Sequence, residues 1–310
     1  MPVVNQLITM VIVMALGILL RKAGMIANGG IKGLSVVLSK VAVPCMIVNL
    51  LQRECTPELL HEFIFVCVAT YIFSVIFALI FLIVGKFLKL DFPELGLFSA
   101  SCTYSNVAFM GQPLVLAMFG EEGLIYCVAV IVMQNVFFAT LGIGLLTKGI
   151  EGSAERTIKD TLKTAFVNGL FISAVIGFIL FFNGIMLPKC VKNALQYAND
   201  STVFLSMMVI GALLAKANVK NVLKDYKIYV FSFLNLVVMP ILTKLIIVNF
   251  TDKNIIIGVM VILMGTPTAA AVPAFADHYD ADSRKGAEYV FVSTVLSVIT
   301  LPLVASLVCC

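Results

Sequence analysis

Ten apolar runs follow one another along the chain, at residues 3–20, 34–52, 62–85, 95–118, 124–147, 164–183, 196–215, 228–250, 255–276 and 287–308. A hydrocarbon layer of about 30 Å is crossed by about 20 helical residues, so each run is long enough to cross once. Strands of a membrane β-barrel are shorter and alternate polar with apolar residues, and these runs do neither. The expected fold is all-α: a polytopic membrane protein with ten transmembrane helices. Composition agrees, because only 12% of residues are charged and the mean hydropathy is +1.08, whereas a soluble domain is about 25% charged.

The first run, MPVVNQLITMVIVMALGILL, has no basic n-region and no small-residue cleavage site. It is expected to be a first span and not a removable signal peptide. None of the eight cysteines stands in CxxC spacing, and Cys45, Cys67, Cys102 and Cys127 lie in apolar runs. They read as small apolar residues without a metal or disulfide role.

The basic residues set an orientation. If connections alternate sides, Arg21, Lys22, Lys32, Lys86, Lys89, Lys148, Arg156, Lys159, Lys163, Lys216, Lys220, Lys224, Lys227, Arg284 and Lys285 share one face. The other face has Arg53, Lys189, Lys192 and Lys253, and only Lys40 and Lys244 fall within runs. Basic residues in short connections mark the cytoplasmic side, so both termini are expected outside. A miscount of one run would scramble this separation. The polar connection KGIEGSAERTIKDTLK, 148–163, is then a cytoplasmic linker between a first five-helix repeat, 1–147, and a second, 164–310.

A shift of 160 residues supports that division, since it lays Pro113 on Pro273, Phe119 on Tyr279, Gly17 on Gly177 and Gly24 on Gly184. Five helices per half makes the two halves inverted. The paired prolines lie in polar interruptions of the fourth and ninth runs, SNVAFMGQP and GTPTAAAVPAFA. Proline removes a backbone donor and glycine loosens a helix, so both runs are expected to break into half-helices. Simple kinks are the alternative. Freed backbone groups survive in a membrane only when buried in protein or lining a wet cavity, and the N-terminus of a half-helix favours an anion.

The segments SNVAFMGQPLVLAMFGEEG, GTPTAAAVPAFADHYDADSRKGAEYVFVSTVLSVITLPL and SKVAVPCMIVNLL resemble the two crossover regions and the second helix of the auxin efflux carrier family. That family includes plant auxin exporters and bacterial malate or malonate permeases. The resemblance implies inverted five-helix repeats with crossed broken helices four and nine, a scaffold and a transport domain, and elevator-like movement of small organic anions. It maps Asn106, Gly111 and Pro113 to the first crossover and Gly265, Pro267 and Pro273 to the second. Lys40 matches a lysine that plant members pair with an acid on the next helix, but the third run here has no acid. The short linker resembles compact bacterial members, which implies a bacterial inner membrane.

Ser105, Asn106, Gln112, Thr266 and Thr268 are the candidate substrate-binding residues, because uncharged polar groups can hydrogen-bond a carboxylate. Gln134, Asn135, Ser293 and Ser297 could contribute from adjacent runs, or could simply bond between helices. Lys40 and Asp200, superposed by the shift of 160, are the ion-coupling candidates, with snorkelling as the alternative. Asp277 and His278 read as a solvated pair. No GxxxxGK[ST] stretch is present, and His61 and His278 are expected on opposite faces, so no enzyme activity is expected.

The reading is a secondary carrier of mono- or dicarboxylates with no cofactor, with coupling to proton or sodium left open. Its partners are the anion and the lipid bilayer. A homodimer is left open, and a net charge of +4 is too small to suggest nucleic acid. The alternatives are a sodium-coupled bile-acid-type symporter or antiporter, or a non-transporting membrane receptor.

Overall fold

The computed structural model describes residues 2–150, 169–215 and 225–309. Residues 151–163 of the central connection, with Arg156, Lys159 and Lys163, lie outside the described residues, as do Lys216, Lys220 and Lys224. The described chain is helical, with one isolated β-bridge. Seven of its helices are long and apolar enough to cross a membrane, and Phe171–Phe182 and Asn254–Met264 are shorter apolar helices. The molecule is a polytopic integral membrane protein.

In chain order the helices are α1 (Pro2–Lys22), α2 (Asn28–Val37), α3 (Val43–Leu50), α4 (Pro57–Phe87), α5 (Glu94–Thr103), α6 (Gln112–Phe137) and α7 (Ile143–Thr147). There follow α8 (Gly169–Phe182), α9 (Lys189–Leu214), α10 (Tyr226–Phe233), α11 (Met239–Ile247), α12 (Asn254–Met264), α13 (Val272–His278) and α14 (Ser283–Cys309). Wide π-turns join α2 to α3 (Leu38–Ala42), lead into α6 (Val107–Gly111), join α6 to α7 (Phe138–Gly142) and join α10 to α11 (Leu234–Val238). Three of them directly precede helices whose second residue is a proline: Pro44, Pro113 and Pro240. A proline inside a helix lacks an N–H and clashes with the carbonyl four residues back. A local widening of the ladder relieves both, so the helix continues where an α-geometry would kink.

The stretch Val107–Thr147 has 41 residues, which would reach about 60 Å if straight, twice the thickness of the hydrocarbon layer. It folds at Gly120, where φ is 63° and ψ is −157°, a conformation that only glycine adopts freely. Past the fold, a Cβ on Gly123 would lie 2.9 Å from Val115 Cγ1, whereas the same eight residues in a straight helix rise about 12 Å. The chain has turned back on itself.

Helix α1 packs closely on α9. Gly17 lies against the carbonyl of Met208 and Gly211 against that of Met14, so a Cβ at either would enter the neighbouring backbone. Small residues at such a crossing let two backbones touch, and dispersion contacts between them replace the hydrophobic drive that lipid removes.

The charged connections gather at two ends, which α4 separates. Near its start, Glu62 accepts from Tyr126 and from Lys253, Arg53 donates to the carbonyls of Leu50 at 3.2 Å and Glu121 at 3.1 Å, and the Leu187 N–H donates to Gln52 at 2.8 Å. Burial disfavours the Arg53 guanidinium charge, and Glu121 and Tyr126 offset part of that effect. Past the end of α4, Lys148 lies 4.6 Å over the Phe92 ring, and Lys285 pairs with Asp225 and lies 3.7 Å from Glu288.

Landmarks recur at a spacing of 160 residues. Helix α1 ends at Lys22 and α8 at Phe182; α4 ends at Phe87 and α11 at Ile247; α5 begins at Glu94 and α12 at Asn254. Positive φ recurs at the same interval, at Gly24 and Gly184 and at Gly120 and Asp280.

Candidate functional site

Helical backbone stops twice in the interior. Helix α5 ends at Thr103, Tyr104 is extended with ψ at 92°, and helical geometry resumes at Val107. Helix α12 ends at Met264, and α13 begins only at Val272. The first interruption therefore lies at 104–106, before Gly111 and Pro113, which sit inside the resumed helix. The π-turn at Val107–Gly111 absorbs Pro113, so the chain need not stop there. In the second interruption Gly265 and Pro267 lie in the non-helical stretch, and Pro273 takes the second position of α13, where a missing N–H costs nothing.

The two interruptions lie against each other. Ser105 and Thr268 form an antiparallel bridge, the Asn106 N–H donates to Pro267 O at 2.7 Å, and the Ala269 N–H donates to Tyr104 O at 2.8 Å. Each break supplies partners for backbone groups that the other frees, as a lipid-surrounded chain requires. Neighbouring helices supply the rest. Gln134 accepts from the Ser105 N–H at 3.0 Å and donates to Thr103 O at 3.3 Å, while Ser293 accepts from the Thr268 N–H at 3.2 Å. Asn235, from the π-turn before α11, donates to Cys102 O at 2.8 Å, and Asn135 accepts from the Tyr104 hydroxyl at 2.7 Å. Ser297 bonds within its own helix, to Thr294 O. A Cβ on Gly111 would collide with Leu263, so glycine here lets the resumed helix press on α12.

The sequence-chosen polar residues divide by what their side chains do. Thr266 donates its hydroxyl to Leu263 O at 2.7 Å, and Thr268 donates to Ser101 O at 3.0 Å, so both hydroxyl protons are committed to backbone. Ser105, Asn106 and Gln112 are buried, yet Ser105 Oγ, Asn106 Nδ2 and Gln112 Oε1 have no hydrogen-bond partner among the described residues. Unpaired buried polar atoms each cost on the order of 1–3 kcal/mol, and a ligand that pairs them recovers that cost.

Lys40 is exposed in the π-turn between α2 and α3, and Asp200 is exposed on α9; no ion pair joins them among the described residues. Lys244 donates to the Leu307 carbonyl in the last turns of α14. Asp277 and His278 are exposed at the end of α13. Sequence reasoning passed over three amides, of which the fold brings Asn199 to Gln112 and pairs the other two, Asn49 and Gln196, with each other. Gln112 Nε2 donates to Asn199 Oδ1 at 3.2 Å, Asn49 Nδ2 donates to Gln196 Oε1 at 2.7 Å, and Gln196 Nε2 donates to Asp200 Oδ1 at 2.6 Å. The available signal was Gln196 and Asn199 standing one helical turn apart at the head of an apolar run.

A buried crossing lined by neutral donors and acceptors can bind a small polar solute without placing a fixed charge in the membrane interior. A sequence from Methanocaldococcus jannaschii, called an uncharacterized transporter, is 26% identical, with 97% of each chain covered. An uncharacterized transporter from Methanothermobacter thermautotrophicus is 23% identical, with 96% of each chain covered. The family described as membrane transport protein matches residues 2–305, nearly the whole length, and the chain therefore belongs to this family, that of the auxin efflux carriers.

Proposed function

We propose that the protein is a secondary carrier of small organic anions, mono- or dicarboxylates such as malate or malonate, which it moves by elevator-like alternating access. The observation that carries this reading is the antiparallel contact of the two helix breaks, with unpaired polar atoms of Ser105, Asn106 and Gln112 beside it. Ser105 Oγ and Asn106 Nδ2 can donate to a carboxylate. Helical geometry resumes at Val107 on the far side of the first break, and the dipole of that segment favours negative charge there; the N–H groups of Val107 and Val272 themselves are taken, by Ser105 O and Ala269 O.

Ten passages follow when the fold at Gly120 divides its long stretch and each broken helix counts as one. The landmarks spaced by 160 residues support two five-helix repeats, 1–147 and 164–310, of inverted orientation. Sorting charged connections to the two ends of α4 supports alternation, and the basic majority at the Lys148 and Lys285 end supports a cytoplasmic side there, with both termini outside. Elevator movement rests on the family resemblance; it would break the hydrogen bond from Gln112 to Asn199 and shear the apolar cluster that Met110 and Leu114 form with Met207 and Ile210 of α9.

The test is binding to purified protein, read as thermal stabilisation by a panel of carboxylates at several sodium concentrations and pH values. Asn106→Ala should weaken binding about tenfold or more, the loss of one hydrogen bond to a charged group. Thr266→Ala should weaken it less, and Lys192→Ala, at an exposed position, should not change it. Equal losses in all three would end the assignment to the crossing.

A further inference from the structure

The amide chain between α3 and α9 has a direction, and its direction is set at one end. An ionised carboxylate can only accept hydrogen bonds, so Asp200 requires Gln196 to turn its NH2 group toward it. The Gln196 carbonyl oxygen then faces the other way and requires the NH2 of Asn49, 2.7 Å distant. Asn49 is left presenting its carbonyl oxygen. Side-chain amides are ordinarily ambiguous between their two orientations, but this pair is locked by the carboxylate behind it.

That oxygen is the end of the relay and has no donor. Asn49 is only 9% exposed, and its Oδ1 is buried without a hydrogen-bond partner among the described residues. Its place ties it to the crossing. The Gln196 that holds Asn49 and the Asn199 that holds Gln112 are one turn apart on α9, and α3 touches α6 directly. One turn of α9 from the Gln112 contact, then, stands a buried acceptor, whereas Asn106 Nδ2 at the crossing is a buried donor.

We propose that the relay Asp200–Gln196–Asn49 makes this site selective for acids that carry a hydrogen-bond donor, a hydroxyl or an ammonium, beside the carboxylate. This deepens the carrier reading and rests on it. The carboxylate meets the donors of Asn106 and Ser105, and the substrate's donor meets Asn49 Oδ1. A plain acid of the same length leaves that oxygen desolvated and unpaired, and a site built around a hydrogen bond rejects the analogue that lacks it. Asp200 never touches the substrate. It is a positioning residue, acting through two amides from an exposed place where its replacement disturbs no core.

The experiment compares binding of a 2-hydroxy dicarboxylate and its methyl ether, malate against 2-methoxysuccinate, to purified full-length protein by calorimetry at neutral pH; the ether can accept a hydrogen bond but not donate one. The native protein should prefer malate by about tenfold, one hydrogen bond's worth. Asp200→Asn, which can accept or donate, should reduce that ratio while both acids still bind. Asp200→Lys forces Gln196 to turn its oxygen outward and Asn49 its NH2 toward the site, where hydroxyl and ether can both accept, so the ratio should fall furthest there, even if the added charge strengthens both. Gln196→Leu should abolish the preference as well. Equal binding of both acids to the native protein, or a ratio unchanged in Asp200→Lys, overturns the relay and leaves the carrier reading standing. Binding of neither acid in any variant overturns the carrier reading first.

Discussion

The backbone N–H of Asn106 reaches the carbonyl of Pro267 at 2.7 Å, joining two breaks from opposite halves of the chain. Each of these groups would be an orphan in an isolated helix. Together they form a crossing that neither half could bury alone.

Gln134 is the side chain on which that crossing most depends. It is fully buried, accepts from Ser105 N–H and donates to Thr103 O. Gln134→Leu fits the space but leaves a buried donor and acceptor unpaired, at a cost of about 1–3 kcal/mol for the donor alone. The thermal midpoint in detergent should drop clearly. Ser293→Ala removes one acceptor, that of the Thr268 N–H, and should drop it less. A Gln134→Leu protein as stable as the native one would mean that water already serves these groups.

Close contact of α1 with α9 makes a second prediction. Gly211→Val should prevent recovery of folded protein, because the new side chain would enter the backbone at Met14. Gly144→Ala, with open space around it, should leave yield and midpoint unchanged. Size-exclusion profiles of the two variants decide the matter, and a normal Gly211→Val profile would show that the helices sit further apart.

Labelling in intact cells tests the orientation. Cys190 is exposed at the head of α9, on the side assigned to the exterior, and should react with an impermeant maleimide. Cys55, on the same side, should react more slowly, because burial raises its thiol pKa and thins the thiolate. Lys148→Cys should be labelled only after permeabilisation. Labelling of the residue-148 thiol from outside, with Cys190 protected, would invert the topology.

Acid should weaken the pairing of Asp225 with Lys285 in a defined direction. Burial works against the charge of Asp225, but hydrogen bonds from Lys285 and the Lys227 N–H, with the charges of both lysines, outweigh it and hold its pKa below 3.8. A carboxyl lowered on folding adds stability that is fully present above 3.8 and is lost as the pH falls through the lower, folded value. Asp225→Asn should therefore lower the thermal midpoint at neutral pH, and its gap from the native protein should close as the pH drops below 3.8. A gap that ignores pH would assign the loss to packing.

Much of this was legible along the chain, for a physical reason. Hydrocarbon imposes helix and a minimum length, so apolar runs declared membrane helices without reference to neighbours. Gly265 and Pro267 likewise announced an interruption, since their backbone preferences are local. Within SNVAFMGQP the sequence did not say which residues would stop being helical: the chain stops at 104–106, and a π-turn carries Pro113 into the resumed helix. No local rule chooses between a stop and a widened turn; packing against α12 does.

The functional side chains were harder still. Thr266 and Thr268 look like Ser105 and Asn106 in sequence, yet the first two give their protons to backbone and the last two keep unpaired atoms. Asn49, Gln196 and Asp200 gave no sign of acting together. The sequence by itself determined a membrane-embedded bundle of helices with interruptions in the fourth and ninth runs, because the bilayer tests each segment separately. Only the tertiary structure decided which polar atoms remain unpaired, because a hydrogen bond is satisfied or not by whichever group the fold brings within 3 Å or so of it.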